Sequence, residues 1–385
     1  MILRLALAAL LFLATTARAD DEASEARQRA VEAELRARQR AVEIEARARH
    51  REQLRAESRA EGRADSGDEM TTDTTVSVPP RARLTLEDFG GSIVIRGWNR
   101  NAVRVRAQHE AGTEIGVEVG PATVRVDATR ILRLPGLQRT RRLRVQRIEL
   151  PATVDYDLMV PRWMDLRLTG VTTDIAVAGV ENEVIAETVT GSVSLHGGKG
   201  NIRLNSMNGG VELVGARALL GPIELGAVEG DIVVRDVIGP IRAEAVNGDV
   251  DLLRVESDDV EASTVTGDVS YAGSFNEGGN YRFSSHSGDL VVMLPERPDM
   301  TISVDTFNGE FESDFPVKLS EMRRGKQFSF TLGEGRADVG LKSFSGTIRL
   351  VRKAPPAPPT RSPRPAPPRR PVPPVEPVAP VRPGK

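Results

Sequence analysis

The chain has no cysteine, and that absence removes disulfides, thiolate metal sites and a cysteine nucleophile from consideration. Aromatic residues make up only 4% of its 385 residues, with two Trp and three Tyr, few for a protein that recognises bases or sugars by stacking. Charge of one sign is also missing. Fifty-two basic residues stand against 54 acidic ones, so no global field marks a nucleic-acid binder, and none is expected as a partner. Only six of the basic residues are lysine. Beyond Ala19 there is no apolar run of membrane-spanning length, so no transmembrane span is expected in the mature chain.

The segment from Met1 to Ala19 reads as an export signal. Arg4 gives the positive start, Leu5 to Leu13 an apolar core, and Ala17-Arg18-Ala19 a small-x-small cleavage site between Ala19 and Asp20. The expected location is therefore periplasmic or secreted.

Residues 20–69 are mostly Ala, Glu and Arg, strong helix formers. Arg27-Gln28-Arg29-Ala30-Val31-Glu32 returns as Arg38-Gln39-Arg40-Ala41-Val42-Glu43. That step of eleven is close to three helical turns, which puts Val31 and Val42 on one thin stripe. The segment reads as a charged helix or spacer. A weak right-handed coiled coil joining copies of the chain into a homo-oligomer is the alternative.

From residue 76 to 169 the pattern changes to two-residue alternation. Val103-Arg104-Val105-Arg106, Val124-Arg125-Val126-Asp127 and Val154-Asp155-Tyr156-Asp157-Leu158 are half-buried strands. Arg130 to Arg147 is rich in arginine and reads either as a solvated loop or as a patch for polyanions.

What dominates the remainder, residues 170–352, is a recurring phrase: apolar, polar, Gly, small or acidic, apolar, any, apolar. Its glycines are Gly191, Gly209, Gly230, Gly248, Gly267, Gly288 and Gly309, a nearly constant step. A period of this size, roughly twenty residues, points to stacked identical units. Two residues after the glycine stand Val193, Val211, Ile232, Val250, Val269, Leu290 and Phe311. Ile93, Ile175 and Ile348 follow the same rule after Gly91, Thr173 and Gly346. Two residues before it stand Val189, Met207, Val228, Val246, Val265, Phe307 and Phe344, and these flanking apolar columns are expected to form the core. Three- or four-residue strands cannot bury an apolar face alone, but stacked coil on coil they do. The expected fold class is all-β, a parallel β-solenoid of 18–21-residue coils preceded by the charged helix. Val246-Asn247-Gly248-Asp249 also fits a two-residue hairpin, so a twisted antiparallel β-meander is the alternative. Residues 353–385 hold many Pro-Pro pairs and seven basic residues against Glu376 alone. They read as a disordered polyproline tail: a spacer, or a basic arm for a wall, lipid or protein partner.

Chemistry-bearing candidates are few. Asp231, Asp249, Asp268, Asp289 and Glu310 form an acidic column beside the glycines. Such a column could hold Ca²⁺ or act on polysaccharide, but a corner role bonding local backbone fits these positions better. His196 and His286 are isolated, no phosphate loop is present, and Trp98 and Trp163 read as cap or core. No catalytic residue, metal ligand or cofactor is expected.

The order of motifs resembles a known family. Leu84-Thr85-Leu86-Glu87-Asp88-Phe89-Gly90-Gly91-Ser92-Ile93 opens it, Tyr156-Asp157-Leu158-Met159-Val160-Pro161 follows, then the Asn-Gly-Asp-Val array, and Ser343-Phe344-Ser345-Gly346-Thr347-Ile348-Arg349-Leu350 closes it. Over residues 76–352 this is similar to the bacterial DUF4097 proteins, adhesin-like β-strand-repeat chains. The resemblance implies a non-enzymatic β-solenoid that binds or scaffolds an envelope partner, either a protein or a polyanionic wall or lipid component. An envelope-stress regulator assembled through the N-terminal helix and a polysaccharide-active β-helix remain the alternatives.

Overall fold

The computed structural model describes residues 69–132, 148–218, 221–316 and 326–352. The signal sequence with its Ala19–Asp20 cleavage site, nearly all of the 20–69 segment, most of the arginine run and the Pro-rich tail lie outside the described residues. Contacts divide the chain into residues 1–70 and 71–385, and the second unit holds the repeat.

Every described element is a strand, and all 25 belong to one sheet system. Most pairings are parallel and run between equivalent positions of successive coils. Val193 pairs with Val211, Val211 with Ile232, Ile232 with Val250, Val250 with Val269, and Val269 with Leu290. These offsets reproduce the glycine steps, so the solenoid reading holds for the array. The meander does not. Ile241–Asn247 and Val250–Glu256 are not hairpin partners across Asn247-Gly248; each pairs in parallel with its counterparts one coil away. Among the described residues, antiparallel pairs lie toward the ends of the stack, between Ala102–Glu110 and Thr153–Pro161, among the strands spanning 113–151, and between Met300–Thr306 and Lys326–Leu332.

Coil order in space departs from chain order at both ends. Arg83–Trp98 is the rung that precedes Asp165–Ala178, although the whole stretch from Asn99 to Met164 intervenes in sequence. At the other end the last coil, Ala337–Arg352, sits between the coil of Asn280–Leu294 and that of Met300–Ser313. The rungs therefore run 83–98, 165–178, 184–196, 202–214, 223–238, 241–256, 259–272, 280–294, 337–352 and 300–313.

The core follows the columns two and four residues after the glycine. Ile93, Ile175, Val193, Val211, Ile232, Val250, Val269, Leu290 and Ile348 are all buried, with Phe311 at the end half-buried. Tyr271, Phe275, Tyr281 and Phe283 form an aromatic cluster within the stack, ring centroids 4.8–6.1 Å apart. The buried hydroxyls there are satisfied, Tyr271 donating to the Ser274 carbonyl and Tyr281 to that of Ser257, both at 2.7 Å. Trp98 and Trp163 belong to the N-terminal end, where their indole N–H groups donate to the Ala102 carbonyl and to Asn101 Oδ1. No helix among the described residues is long and apolar enough to cross a membrane.

Candidate functional site

Three interactions recur at the corners of the coils. The glycine itself is required twice over. Gly267 has φ +141°, and a Cβ there would lie 2.2 Å from the Gly248 carbonyl oxygen one coil below. Three residues earlier a hydroxyl points inward and donates to the corner carbonyl of the preceding coil. Thr188 donates to Thr173 O, Ser206 to Gly191 O, Thr264 to Gly248 O and Ser285 to Gly267 O, at 2.8–3.1 Å.

The third interaction gives the acidic column its role. Asp231 Oδ1 accepts the backbone N–H of Asp249 at 3.0 Å. Asp249 accepts that of Asp268, and Asp268 that of Asp289, at 2.8 Å each. Asp174 does the same for Ser192, and Asp289 for Thr347 across the interleaved coil. These carboxylates bond the backbone of the next coil, not their own local backbone as expected from the sequence. The column is a set of clamps between rungs. Among the described residues no group of three or more metal-ligating side chains is positioned to hold a metal ion.

A second corner lies six residues after the glycine and carries no sequence signal of its own. Gly179, Gly197 and Gly215 take φ of +70° to +92° there, but in two consecutive coils Asp236 and Arg254 occupy it with φ +56° and +53°. Their side chains pair, Arg254 donating from one guanidinium nitrogen to Asp236 Oδ2 at 2.7 Å, and this holds the Asp236 carboxyl below its ordinary range.

One apolar column is not core. Val189, Met207, Val228, Val246, Val265, Phe307 and Phe344, two residues before the glycine, are exposed by 40–59%. Phe89 and Val171 extend the column at one end, and His286 fills its place in the coil of Asn280–Ser287. The burial pattern explains why the expectation of a buried column fails. In Ile241–Asn247 the side chains alternate in and out until Ala245, after which Val246 and Asn247 both face out as the chain enters the corner. The pleat loses its two-residue parity there, so an apolar residue in phase by sequence lands outside.

The register places these residues in one line. Ser206 lies beside Ala227 and Asn208 beside Glu229, which sets Met207 beside Val228; the same holds along the stack. With strands spaced at about 4.8 Å, ten rungs give a ridge roughly 43 Å long. Its C-terminal end is aromatic. His286 stacks on Phe344 at 4.6 Å and 9°, and Phe344 on Phe307 at 5.0 Å and 7°. The stack lines an open groove of about 430 Å³, with Ser263, Ser284, Ser285, Asp305 and Lys342 also in its lining. The acidic column follows three residues after the ridge position in six of the coils. A contiguous exposed apolar surface rimmed by polar groups is the mark of an interaction site.

One buried polar group stands apart from the repeat. Asp88 occupies the inward position that is Ser or Thr in most coils, is 6% exposed, and accepts a hydrogen bond from Thr173 at 2.8 Å. Its Oδ1 and the buried Tyr156 hydroxyl have no hydrogen-bond partner. Burial pushes the Asp88 carboxyl up to about 7 against the opposing Thr173 bond.

Solved structures similar to this chain include a "putative adhesin" from Parabacteroides distasonis, 12% identical with a TM-score of 0.39, matching 74% of this chain and 98% of that one. A "putative adhesin" from Bacteroides fragilis is 13% identical with a TM-score of 0.34 over 74% and 98% of the two chains. A "putative cell adhesion protein" from Clostridium sporogenes is 12% identical with a TM-score of 0.20 over 74% and 100%. No curated protein matches the chain. Residues 241–351 match the family model Toastrack DUF4097. Over this stretch the chain is similar to the Toastrack DUF4097 family, the family that its order of motifs over residues 76–352 resembles.

Proposed function

We propose that this chain is an exported, non-enzymatic, adhesin-like scaffold of the cell envelope, which binds its partner along the exposed apolar ridge. The ridge carries the reading. Water contact with ten aligned, mostly apolar side chains is unfavourable, at roughly 25 cal/mol for each Å² left uncovered, so a partner that covers them gains that area. The carboxylates best suited to acid–base work on a polysaccharide act instead as clamps on backbone amides, which weakens the β-helix enzyme reading. The regulator reading rests on the 20–69 segment, outside the described residues.

Capture of envelope fractions by the immobilised protein tests the proposal. Phe344→Ser together with Val246→Ser leaves the core untouched, since both side chains are outside it, and is expected to lower capture at least tenfold. Equal capture by parent and variant overturns the ridge as the binding surface.

A further inference from the structure

We infer that the aromatic end of the ridge is the docking site for the chain's own Pro/Arg-rich C-terminal segment, residues 353–385. The inference rests on the ridge being a binding surface and names one occupant of its aromatic end. Three observations carry it. The first is chemistry. The groove is lined by the parallel stack His286–Phe344–Phe307 together with Ser263, Ser284 and Ser285. Aromatic-lined grooves suit polyproline II segments, which are extended before they bind and lose little entropy in docking.

The second observation is charge. Three residues after the ridge position stand Asp174, Asp231, Asp249, Asp268, Asp289 and Glu310, in six of the ten coils, and Asp305 lines the groove. The segment carries seven basic residues, Lys353, Arg361, Arg364, Arg369, Arg370, Arg382 and Lys385, against Glu376. Lys342 in the lining and Arg349, which pairs with Glu312 and Asp289, are the opposing cations nearby. A second copy is the poorer occupant, because ridge against ridge would bring two acidic columns together, and like charges across an interface disfavour it.

The third observation is where the described chain ends. Arg352 closes the strand Thr347–Arg352, and the same coil supplies Phe344 to the ridge. Eight residues separate the two, at most about 27 Å even if straight. Ten residues of polyproline II span about 31 Å, so the segment reaches the groove with more than twenty residues to lie along it.

The absence of cysteine makes the test direct in the full chain. Asn308→Cys beside Phe307 and Ala366→Cys in the segment, both spin-labelled, give the distance between ridge and tail. A narrow distribution below about 30 Å is expected, broadening when Phe307→Ser and Phe344→Ser remove the stacked rings or when salt screens the charges. A broad distribution that these changes do not alter overturns the docking. A short distance seen only when two singly labelled chains are mixed also overturns it, in favour of a second copy's tail. A broad distribution alongside capture that still depends on the ridge removes the docking and leaves the proposed function in place.

Discussion

At the scale of single residues, the corner glycine is the most constrained position in the repeat. Gly267→Ala is expected to cost about 3 kcal/mol or more, since it adds a left-handed penalty of roughly 1–2 kcal/mol to a collision with fixed backbone. Gly278→Ala, with φ +75° and open space around its Cβ, incurs only the conformational penalty. Urea midpoints for the two variants check this, and equal losses would show that the contact between coils is not what requires glycine. Asp88 is the residue whose effect depends on pH. Unfolded it titrates near 3.8, and in the fold at about 7. Between these values the folded chain keeps the proton that the unfolded chain has lost, so stability falls as pH rises from about 4 to 7 and levels above that. The cost above pH 7 is on the order of a few kcal/mol. Asp88→Asn should leave stability at pH 4 nearly unchanged and raise it at pH 8. An unaltered pH slope in the variant would disprove the assignment.

At the scale of the corner and its strands, the acidic column makes a specific prediction because its oxygen, not its charge, does the clamping. Asp249→Asn keeps an acceptor for the Asp268 amide and should cost well under about 1 kcal/mol, whereas Asp249→Leu leaves that amide without its partner and should cost about 1–3 kcal/mol. Denaturation of both variants with and without Ca²⁺ separates this role from metal binding: a large Ca²⁺-dependent shift in the parent that Asp249→Asn abolishes would restore the cation-site reading. The columns after the glycine were legible in the sequence because Ile232, Val250 and Val269 recur in a strand that keeps its alternation. The column before it was legible as apolar but not as exposed. Two successive outward side chains, such as Val246 and Asn247, are set by the turn into the corner, and no composition rule marks that. The second corner was missed for a related reason. Asp236 and Arg254 take the left-handed conformation that Gly179, Gly197 and Gly215 take elsewhere, so the column has no constant residue.

At the scale of the whole stack, nearest-neighbour contact governs stability, as in other repeat proteins. The interleaved coil Ala337–Arg352 is then more than a terminal rung, because it joins Asn280–Leu294 to Met300–Ser313. A chain ending at residue 336 should lose protection in Met300–Ser313 before it loses any in Val184–Val214, with hydrogen exchange giving the order. Uniform loss along the stack would indicate a single cooperative unit, and no loss would contradict the interleaving. The sequence could not place this coil, because the phrase at Gly346 looks like one more step after Gly309 and not a step inserted before it.

By itself the sequence determined the period and the inner columns, because the coils repeat one local demand, a corner and then two inward apolar residues; parallel stacking and an antiparallel meander were both compatible with it until the register separated them. It also determined that chemistry-bearing side chains are sparse. Only the tertiary structure decided which coil lies against which, since a parallel rung accepts any neighbour with a matching register, whatever its distance along the chain. Only the tertiary structure showed that the aspartates clamp adjoining coils and that Val246, Phe344 and their counterparts face water, because both depend on how the backbone turns at a corner between two coils.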